Sequence, residues 1–465
     1  MPRSIAADWA KSEDGGFVHR LGHFGSRAEQ QHTFCLPGID ATARSVPKPR
    51  VYRQPNTMPL PLLAEGFNRG LYNSPYVWTV GKAAAVIGVV ALLKIYFEGA
   101  KCRSERVMHG KVVMVTGGTS GIGAAVVQEL ASRGAQIIIL THHAPSDPFL
   151  VDYIEDLRTL TNNELIYAEQ VDLSSLHSIR LFATKWVDNA PPRRLDMVIL
   201  CASVMTPYFG TSQTTVDGLE AEWEINYLSN FHLLSILSPA IRAQPPDRDV
   251  RILFSTCSSY IGGELDLKVT TAPSKSGSAS FARSKLAVMT FAHAFQKHLD
   301  AYKRPDKQPN NARAFIIDPG YCRTPGMRRW LSGGLIWGLF LYLITWPVWW
   351  LILKSPVQGA QSYLFAAMDA EYAQGSGGKI IKECRDYQSL RPEAQDEEVA
   401  KTLWEFSEKQ IEQLEKQGAV RRALAKKEAE RQTSKEKSTK EPANAQASGG
   451  EKRPTPGSRK SRKAK

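Results

Sequence analysis

The sequence of this chain predicts an α/β fold, a doubly wound parallel sheet covered by helices on both faces. Strand-like runs and helical stretches alternate from Lys111 to about Met368. The strand-like runs are continuously apolar, which is typical of parallel strands that are buried on both faces. A glycine-rich turn joins the first of these runs to the first helical stretch. With 465 residues, the chain is long enough for a large core and for segments outside it.

The first strand is predicted in KVVMVTGG, and the helix AAVVQELASRG that follows it ends at Gly134 as its C-cap. The other predicted strands, in chain order, are QIIILT, ELIYAEQVDL, LDMVILCAS, RILFST and ARAFIIDPG. The other predicted helices are SIRLFATKWVDN, the stretches 222–242 and 281–300, and the covering helix in SPVQGAQSYLFAAM. These elements belong to one predicted domain, residues 108–390.

The two ends of the chain differ from this domain in composition. Residues 1–75 are rich in Pro, Arg, His and Gly and lack periodicity, which predicts a disordered region. Residues 394–431 are predicted to form a surface helix, because they are rich in Glu and Lys with apolar residues at helical spacing. Residues 432–465 are low in complexity and basic, which predicts a disordered tail.

The positive charge is concentrated at the C-terminal end. The segment 421–465 holds 15 Lys or Arg and five Glu, so it accounts for +10 of the net charge of +13. Three interpretations stay open: a tail that attracts anionic lipid headgroups, an import-like signal, or a solvated tail. The tail has no interleaved aromatic residues, so no nucleic-acid partner is predicted.

Cysteine usage and the N-terminal composition point to a cytosol-facing, reducing environment. The six cysteines are scattered, and no pair has the spacing of a zinc site, so no metal centre is predicted. A secreted disulfide scaffold is typically shorter and denser in cysteine. The first 30 residues contain no long apolar run of the kind found in a signal peptide.

A first hydrophobic segment lies ahead of the domain. Residues 76–98, which include VWTVGKAAAVIGVVALLKIYF, have the length of a membrane helix, with lysines near the ends that can reach the interface. We therefore predict a membrane-associated helix. The alternative is a buried or amphipathic helix.

A second hydrophobic segment, residues 330–353, contains 24 residues without a charge. It leaves from the loop after the last predicted strand and returns to a covering helix of the same domain, so both of its ends must lie on one side of any membrane. A re-entrant hairpin or an in-plane flap with a bend at Trp346-Pro347 satisfies this constraint. The alternative is a buried helix followed by a loop.

The turn in VVMVTGGTSGIGAAVVQEL carries Gly117, Gly121 and Gly123 between a strand and a helix. Glycines at these positions let the backbone approach a pyrophosphate closely, and the helix N-terminus supplies free N–H groups. Because the turn lies at the first crossover of an alternating fold, it predicts a dinucleotide site.

The stretch TGGTSGIG resembles the TGxxxGxG signature of the short-chain dehydrogenase/reductase family, and the resemblance continues for about 250 residues. ASVMTP is similar to the AGVMxxP of the retinol-dehydrogenase-like branch, and the chain resembles fungal lipid-droplet-associated members. The resemblance implies a Rossmann-like sheet with a hydrophobic, membrane-inserting insert. It also implies cofactor-binding roles for Gly117, Thr119, Ser120, Gly121, Ile122, Gly123, Asp172, Leu173, Lys285, Pro319, Gly320 and Thr324.

The end of the second strand bears on the choice of cofactor. An acid there would hydrogen-bond the ribose 2′-hydroxyl of NAD. The strand ends LTHHAP, with His142 and His143 and no acid. We therefore predict NADP as the cofactor, with His142 near its 2′-phosphate and with NAD as the alternative.

The catalytic pattern of the family is altered. The YxxxK pattern falls on Phe281 and Lys285, so lysine is present and the proton-donating tyrosine is replaced by phenylalanine. The resemblance places Asn226 at the active-site asparagine, and the serine position falls on Cys257, with Ser258 beside it. We predict Asn226, Lys285 and Ser258 as catalytic residues, and Tyr260, Ser280 or Ser258 as substitutes for the missing phenol.

Two functions stay open. The first is an NAD(P)-dependent oxidoreductase at an endoplasmic reticulum membrane or a lipid-droplet surface, acting on a lipophilic alcohol or carbonyl such as a sterol, retinoid, fatty aldehyde or ketolipid. The second is a nucleotide-binding scaffold at a lipid surface that lost catalysis with the phenol, since general acid catalysis contributes roughly 10²–10⁴ in rate. The oligomeric state is left open.

Overall fold

The computed structural model describes residues 75–265, 267 and 277–445. The region predicted to be disordered at the N-terminus, apart from Pro75, and the last 20 residues of the basic tail therefore lie outside the described residues. The chain divides into two compact units, Met1–Val77 and Trp78–Lys465. The sheet and the helices that pack on it belong to the second unit.

In the described part of the chain, eight strands form one sheet in the order β3-β2-β1-β4-β5-β6-β7-β8. All neighbouring pairs are parallel except β7 and β8. The strands are β1 (Val112–Thr116), β2 (Gln136–Thr141), β3 (Ile166–Gln170), β4 (Met197–Leu200), β5 (Val250–Ser255), β6 (Ala312–Asp318), β7 (Lys379–Lys382) and β8 (Arg385–Tyr387). The strand order reverses between β1 and β4, which opens a crevice at their carboxyl ends. The predicted doubly wound α/β fold is confirmed.

Helices cover both faces of the sheet. The helices are α1 (Pro75–Glu98), α2 (Gly121–Ser132), α3 (Pro148–Thr161), α4 (Leu176–Val187), α5 (Ser229–Arg242), α6 (Gly277–Ala301), α7 (Pro325–Leu331), α8 (Ile336–Ile344), α9 (Trp346–Ile352), α10 (Pro356–Met368) and α11 (Glu397–Ala445). Side chains of α2, α3 and α10 form the core on one face, and side chains of α4, α5, α6 and α11 form the core on the other. A π-helical turn, Glu224–Leu228, precedes α5.

Three elements differ from the sequence prediction. Helix α3 was not predicted; it begins after Asp147, whose carboxylate accepts from the Phe149 N–H, and ends at the left-handed Asn162. The hairpin of β7 and β8 was also not predicted, because KIIK offers only two buried apolar side chains and all of β8 is exposed. The predicted surface helix continues to Ala445, so the start of the predicted disordered tail is helical, as its Lys, Glu and Ala content favours.

The hydrophobic insert forms the helices α8 and α9, separated at Thr345, and its two ends meet. The Arg323 N–H donates to the Lys354 carbonyl oxygen at 2.8 Å, and the Lys354 N–H donates to the Tyr321 carbonyl oxygen at 3.0 Å. The insert therefore leaves and returns at one point of the domain. Its apolar side chains are largely exposed, with Ile336 at 87% and Trp337 at 82%.

Helix α1 is also exposed along its apolar length, and it contacts the insert. The Lys94 Nζ donates to the Trp350 carbonyl oxygen at 2.9 Å and lies 4.9 Å from the centroid of the Trp350 ring. Among the described residues, one helical stretch, Trp78–Glu98, has the length and apolar composition that a membrane span requires. The two hydrophobic segments, which the sequence presents as separate features, therefore contact each other through Lys94 and Trp350.

Candidate active site

A cavity of about 610 Å³ lies at the carboxyl ends of the central strands. The loops after β1, β2, β3, β4, β5 and β6 and the N-terminal part of α6 contribute to its wall. This is the edge at which the strand order reverses, where open α/β sheets bind their ligands. A cavity of this volume is in the range of cofactor and small-molecule sites.

The turn after β1 leaves no room for side chains. Gly117 has φ +67°, and a Cβ there would lie 2.8 Å from the Ala202 Cα. A Cβ on Gly123 would lie 2.2 Å from the Gly117 carbonyl oxygen. The glycines therefore allow the turn to fold tightly against the loop after β4 and to expose the free N–H groups at the start of α2. These N–H groups and the helix dipole fit an anionic pyrophosphate.

The other residues predicted to bind the cofactor also line the cavity. These are Thr119, Ser120, Gly121, Ile122, His142, Asp172, Leu173, Lys285, Pro319, Gly320 and Thr324. The Asp172 Oδ1 accepts hydrogen bonds from the Ser174 backbone N–H at 2.9 Å and from its hydroxyl at 2.7 Å, so the carboxylate is held in place. The set extends from the glycine turn to α6, and it fits an extended dinucleotide.

His142 lines the cavity, and the neighbouring His143 does not. The two rings are 4.1 Å apart, and the His143 Nδ1 lies 2.7 Å from the Asp147 Oδ2. Lys285 is the only Lys or Arg among the described residues that line the cavity, so His142 is the side chain at the end of β2 that can carry positive charge.

Phe281 and Lys285 lie one turn apart on α6 and both line the cavity. Phe281 is 9% exposed and Lys285 3%. The Lys285 Nζ lies 5.4 Å from the centroid of the Phe281 ring and donates to the Ser255 carbonyl oxygen at 3.3 Å. Burial lowers the pKa of Lys285, an effect that Cys257 and Cys201 partly oppose.

Asn226 does not line the cavity. Its Oδ1 accepts from the Val204 N–H at 2.7 Å, and its Nδ2 donates to the Val204 carbonyl oxygen at 2.9 Å and to the Ser284 Oγ at 3.0 Å. Its backbone carbonyl accepts from the Asn230 Nδ2 at 2.7 Å. Asn226 therefore connects the loop after β4 to α6, and its catalytic role stays a prediction.

Ser258, predicted to be catalytic, is also absent from the cavity wall. Its hydroxyl donates to the Asp318 Oδ2 at 3.1 Å and accepts from the Lys382 Nζ at 3.0 Å. The reason is local: the chain enters a 3₁₀ turn at Ser258, and the preceding Cys257 and the following Ser259 line the cavity instead. The geometry does not support a catalytic role for Ser258.

The remaining substitutes for the phenol also lie elsewhere. Tyr260 is buried in the core, and its hydroxyl accepts from the Leu390 N–H at 3.2 Å. Ser280 is buried outside the cavity wall. None of the three substitutes named from the sequence is therefore placed to donate a proton into the cavity.

Sequence reasoning missed a buried polar group below the cavity floor. Tyr363 of α10 hydrogen-bonds with the side chains of Ser255 and Cys201, both of which line the cavity. Burial raises the pKa of the Cys201 thiol to about 12 and that of the Tyr363 phenol well above its usual range. The sequence signal was the thiol of Cys201 in Leu-Cys-Ala-Ser, at the end of β4.

Part of the cavity wall is apolar. Tyr321, Met327 and Met205 line it, and the next residues of the same loops pack against one another. The Tyr208 and Trp330 rings meet edge to face at 5.7 Å. The cavity wall therefore continues into the start of the hydrophobic insert.

Comparison with known proteins identifies relatives of this chain. Residues 111–332 match the model of a family described as short chain dehydrogenase. An uncharacterized oxidoreductase of Schizosaccharomyces pombe, pbr1, is 48% identical over 72% of this chain and 90% of its own length. An uncharacterized oxidoreductase of Saccharomyces cerevisiae, YNL181W, is 36% identical over 78% and 95%, respectively. Mouse retinol dehydrogenase 13 is 32% identical over 71% of this chain and 92% of its own length.

Proposed function

The chain belongs to the short-chain dehydrogenase/reductase family, in its retinol-dehydrogenase-like branch, and we propose that it is an active NADP-dependent oxidoreductase that interconverts a lipophilic alcohol and its carbonyl at a lipid surface. The observation that carries this proposal is the shared cavity. The glycine turn, Asp172, Lys285 and the loop after β6 all line one space of about 610 Å³.

The roles of the residues follow from their positions. The cofactor, when bound, supplies or accepts a hydride. The free N–H groups of the first turn of α2 would hold its pyrophosphate, Asp172 would hold the adenine end, and Lys285 would hold the ribose at the other end. Asn226 keeps the loop after β4 against α6. The apolar wall near Met327 and Tyr321 orients an apolar substrate and excludes water from the reacting centre.

The proposed preference for NADP rests on His142. This side chain lies in the cavity wall at the end of β2, where an acid would select the unphosphorylated ribose. The imidazole of His142 can donate a hydrogen bond to a 2′-phosphate, which NADP carries and NAD lacks. His142→Asp should reverse the preference, and the ratio of the two dissociation constants measures it.

The proposed site of action is a cytosol-facing lipid surface, at the endoplasmic reticulum or a lipid droplet. Helix α1 and the insert expose apolar side chains and contact each other through Lys94 and Trp350. Because the cavity wall continues into the insert, a substrate dissolved in lipid would reach the cavity without crossing bulk water. This arrangement favours sterols, retinoids, fatty aldehydes or ketolipids over soluble substrates.

Two measurements on the full chain test the proposal. The first is NADPH binding and turnover of lipophilic ketones and aldehydes by protein purified in detergent; absence of nucleotide binding would refute the oxidoreductase assignment. The second is flotation with phospholipid vesicles. Ile336→Glu combined with Trp337→Glu should weaken flotation, whereas Leu160→Glu, on an exposed leucine of α3, should not. Equal flotation of both variants would refute the membrane role of the insert.

Phe281 supports a second candidate function, a nucleotide-binding scaffold without turnover. The phenylalanine ring occupies the cavity wall at the family's tyrosine position and has no proton to donate. The scaffold predicts NADPH binding without turnover, and turnover gained by Phe281→Tyr. Turnover by the wild-type protein excludes it.

A further inference from the structure

Lys285 lies one turn from Phe281 on α6, and both residues line the cavity. The ammonium group of Lys285 can release a proton, which the Phe281 ring cannot. Its Nζ lies 5.4 Å from the Phe281 ring centroid, with one hydrogen bond, to the Ser255 carbonyl oxygen. An ammonium has three protons, so this bond leaves it two further protons.

We propose that Lys285 is the general acid of this enzyme and directly protonates the substrate oxygen, a role that rests on the proposed oxidoreductase function. The carbonyl carbon accepts a hydride from the reduced nicotinamide, and the carbonyl electron pair moves to the oxygen. The oxygen then takes a proton from the Lys285 Nζ. The neutral amine that remains recovers its proton from solvent after the product has left the cavity. Alcohol oxidation follows the same steps in reverse.

Four other candidate donors are poorly suited by their positions or their acidity. Ser258 is bound to Asp318 and Lys382, and Tyr260 is in the core. The Cys201 thiol has its pKa raised to about 12 by burial, so it releases a proton poorly. The oxygen and the nitrogen of the Asn226 side-chain amide both form hydrogen bonds within the protein.

The surroundings of Lys285 make its proton easier to release. The titratable groups that shift the pKa of Lys285 are the thiols of Cys257, after β5, and Cys201, after β4. The Tyr363 phenol of α10 is hydrogen-bonded to Ser255 and Cys201. Within the described part of the chain, the groups that oppose the effect of burial are thus thiols rather than carboxylates, and burial lowers the pKa of Lys285. General acids work best when their pKa lies close to the working pH.

Lys285→Arg separates acid catalysis from cofactor binding. A guanidinium keeps the charge and hydrogen-bond donors but does not release its proton in the working pH range. We expect NADPH affinity within about fivefold of wild type and turnover lowered by about 10² or more. Lys185→Arg, on an exposed lysine of α4, is the matched control and should change neither quantity. Turnover retained by Lys285→Arg would overturn the proposal.

A phenol introduced at position 281 provides a complementary test of the proton transfer. In the Lys285→Arg background, Phe281→Tyr restores a proton donor one turn away on α6, and we expect turnover to rise at least tenfold. A double variant that binds NADPH normally and shows no rise would contradict the proposal.

A binding measurement tests the titration of Lys285 without turnover. A protonated Lys285 repels the positively charged oxidised nicotinamide and not the neutral reduced form. As the pH rises from 7 to 10, the affinity for the oxidised cofactor should increase relative to that for the reduced cofactor, and Lys285→Gln should abolish this change. An unchanged ratio in the wild-type protein would overturn the proposal, whereas absence of any nucleotide binding would instead refute the proposed function.

Discussion

Gly123→Ala is the sharpest test of the dinucleotide site, because one added methyl group meets backbone rather than a movable side chain. The new Cβ would lie 2.2 Å from the Gly117 carbonyl oxygen and 2.9 Å from its carbonyl carbon. Real Cβ atoms essentially never approach so closely, and neither partner can rotate away. The first turn of α2 and the glycine turn must therefore move apart.

The expected cost follows from overpacking and from lost hydrogen bonds. Overpacking of this kind costs about 1–3 kcal/mol in the free energy of unfolding. The displaced N–H groups lose part of their bonds to the pyrophosphate, and each charge-assisted bond contributes about 1.5–3 kcal/mol. Since about 1.4 kcal/mol is a factor of ten, the dissociation constant for NADPH should rise by about 10- to 100-fold.

The assay is NADPH binding followed by fluorescence, with urea unfolding of the same samples. Gly262→Ala is the matched control, because nothing lies within 4 Å of a Cβ at that position and the residue is exposed. Gly218→Ala adds backbone strain at φ +86° without any clash, so it should lower stability and leave NADPH affinity unchanged. If Gly123→Ala bound NADPH as tightly as Gly262→Ala, the glycine turn would not hold the pyrophosphate.

Three further predictions concern stability. Burial, with the charges of Asp217 and Asp172, raises the pKa of Glu224 to about 8, although a hydrogen bond from Thr215 opposes the shift. The folded state then binds more protons than the unfolded state between about pH 4.5 and 8, so the contribution of Glu224 to stability is lost as the pH rises through this window, by up to about 1.4 kcal/mol per pH unit. Urea midpoints should fall over this range in the wild type and fall less in Glu224→Gln; parallel curves would contradict the prediction. Phe291→Ala should lower the free energy of unfolding by about 3–5 kcal/mol, since the ring is buried among other aromatic rings of the core; a loss below about 1 kcal/mol in urea unfolding would refute this. Although burial alone would raise the pKa of Asp196, a side-chain hydrogen bond from Arg194 and others lower it, so the stability this carboxylate contributes should disappear as the pH falls through the folded pKa. Asp196→Asn should flatten that acid limb, and an unchanged limb in acid-unfolding curves would refute it.

The parts of the fold that were predictable from the sequence are those in which local pattern and tertiary role agree. Apolar runs such as VVMVT and QIIILT are buried on both faces, so their pattern identifies them without knowledge of the partner strands. The glycine turn was predictable because the geometry that it permits depends on backbone atoms alone. By contrast, β8 is a short exposed strand whose pairing depends on the left-handed turn at Glu383 and Cys384, and nothing in its composition indicates a strand.

The loops that form the candidate site were predictable from the sequence. The direction in which each side chain points was not. Cys257 and Ser258 are neighbours, and whether one or the other faces the cavity depends on the start of a 3₁₀ turn. Asn226 lies in a π-helical turn, where the helical register that places its side chain is shifted. The contact of Lys94 with Trp350 joins residues 256 positions apart, which no local pattern encodes.

The side chains around Phe281 favour the proposed enzyme over the nucleotide-binding scaffold. The free energy of a fully buried ammonium is unfavourable without a carboxylate partner. Yet Lys285 is 3% exposed, Asn226 joins α6 to the loop after β4, and the cavity wall includes the apolar side chains of Met205 and Met327. The cost of a desolvated ammonium is what brings the acidity of a lysine closer to the working pH. Our proposal that Lys285 supplies the proton therefore connects the phenylalanine at position 281 with the burial of the amine.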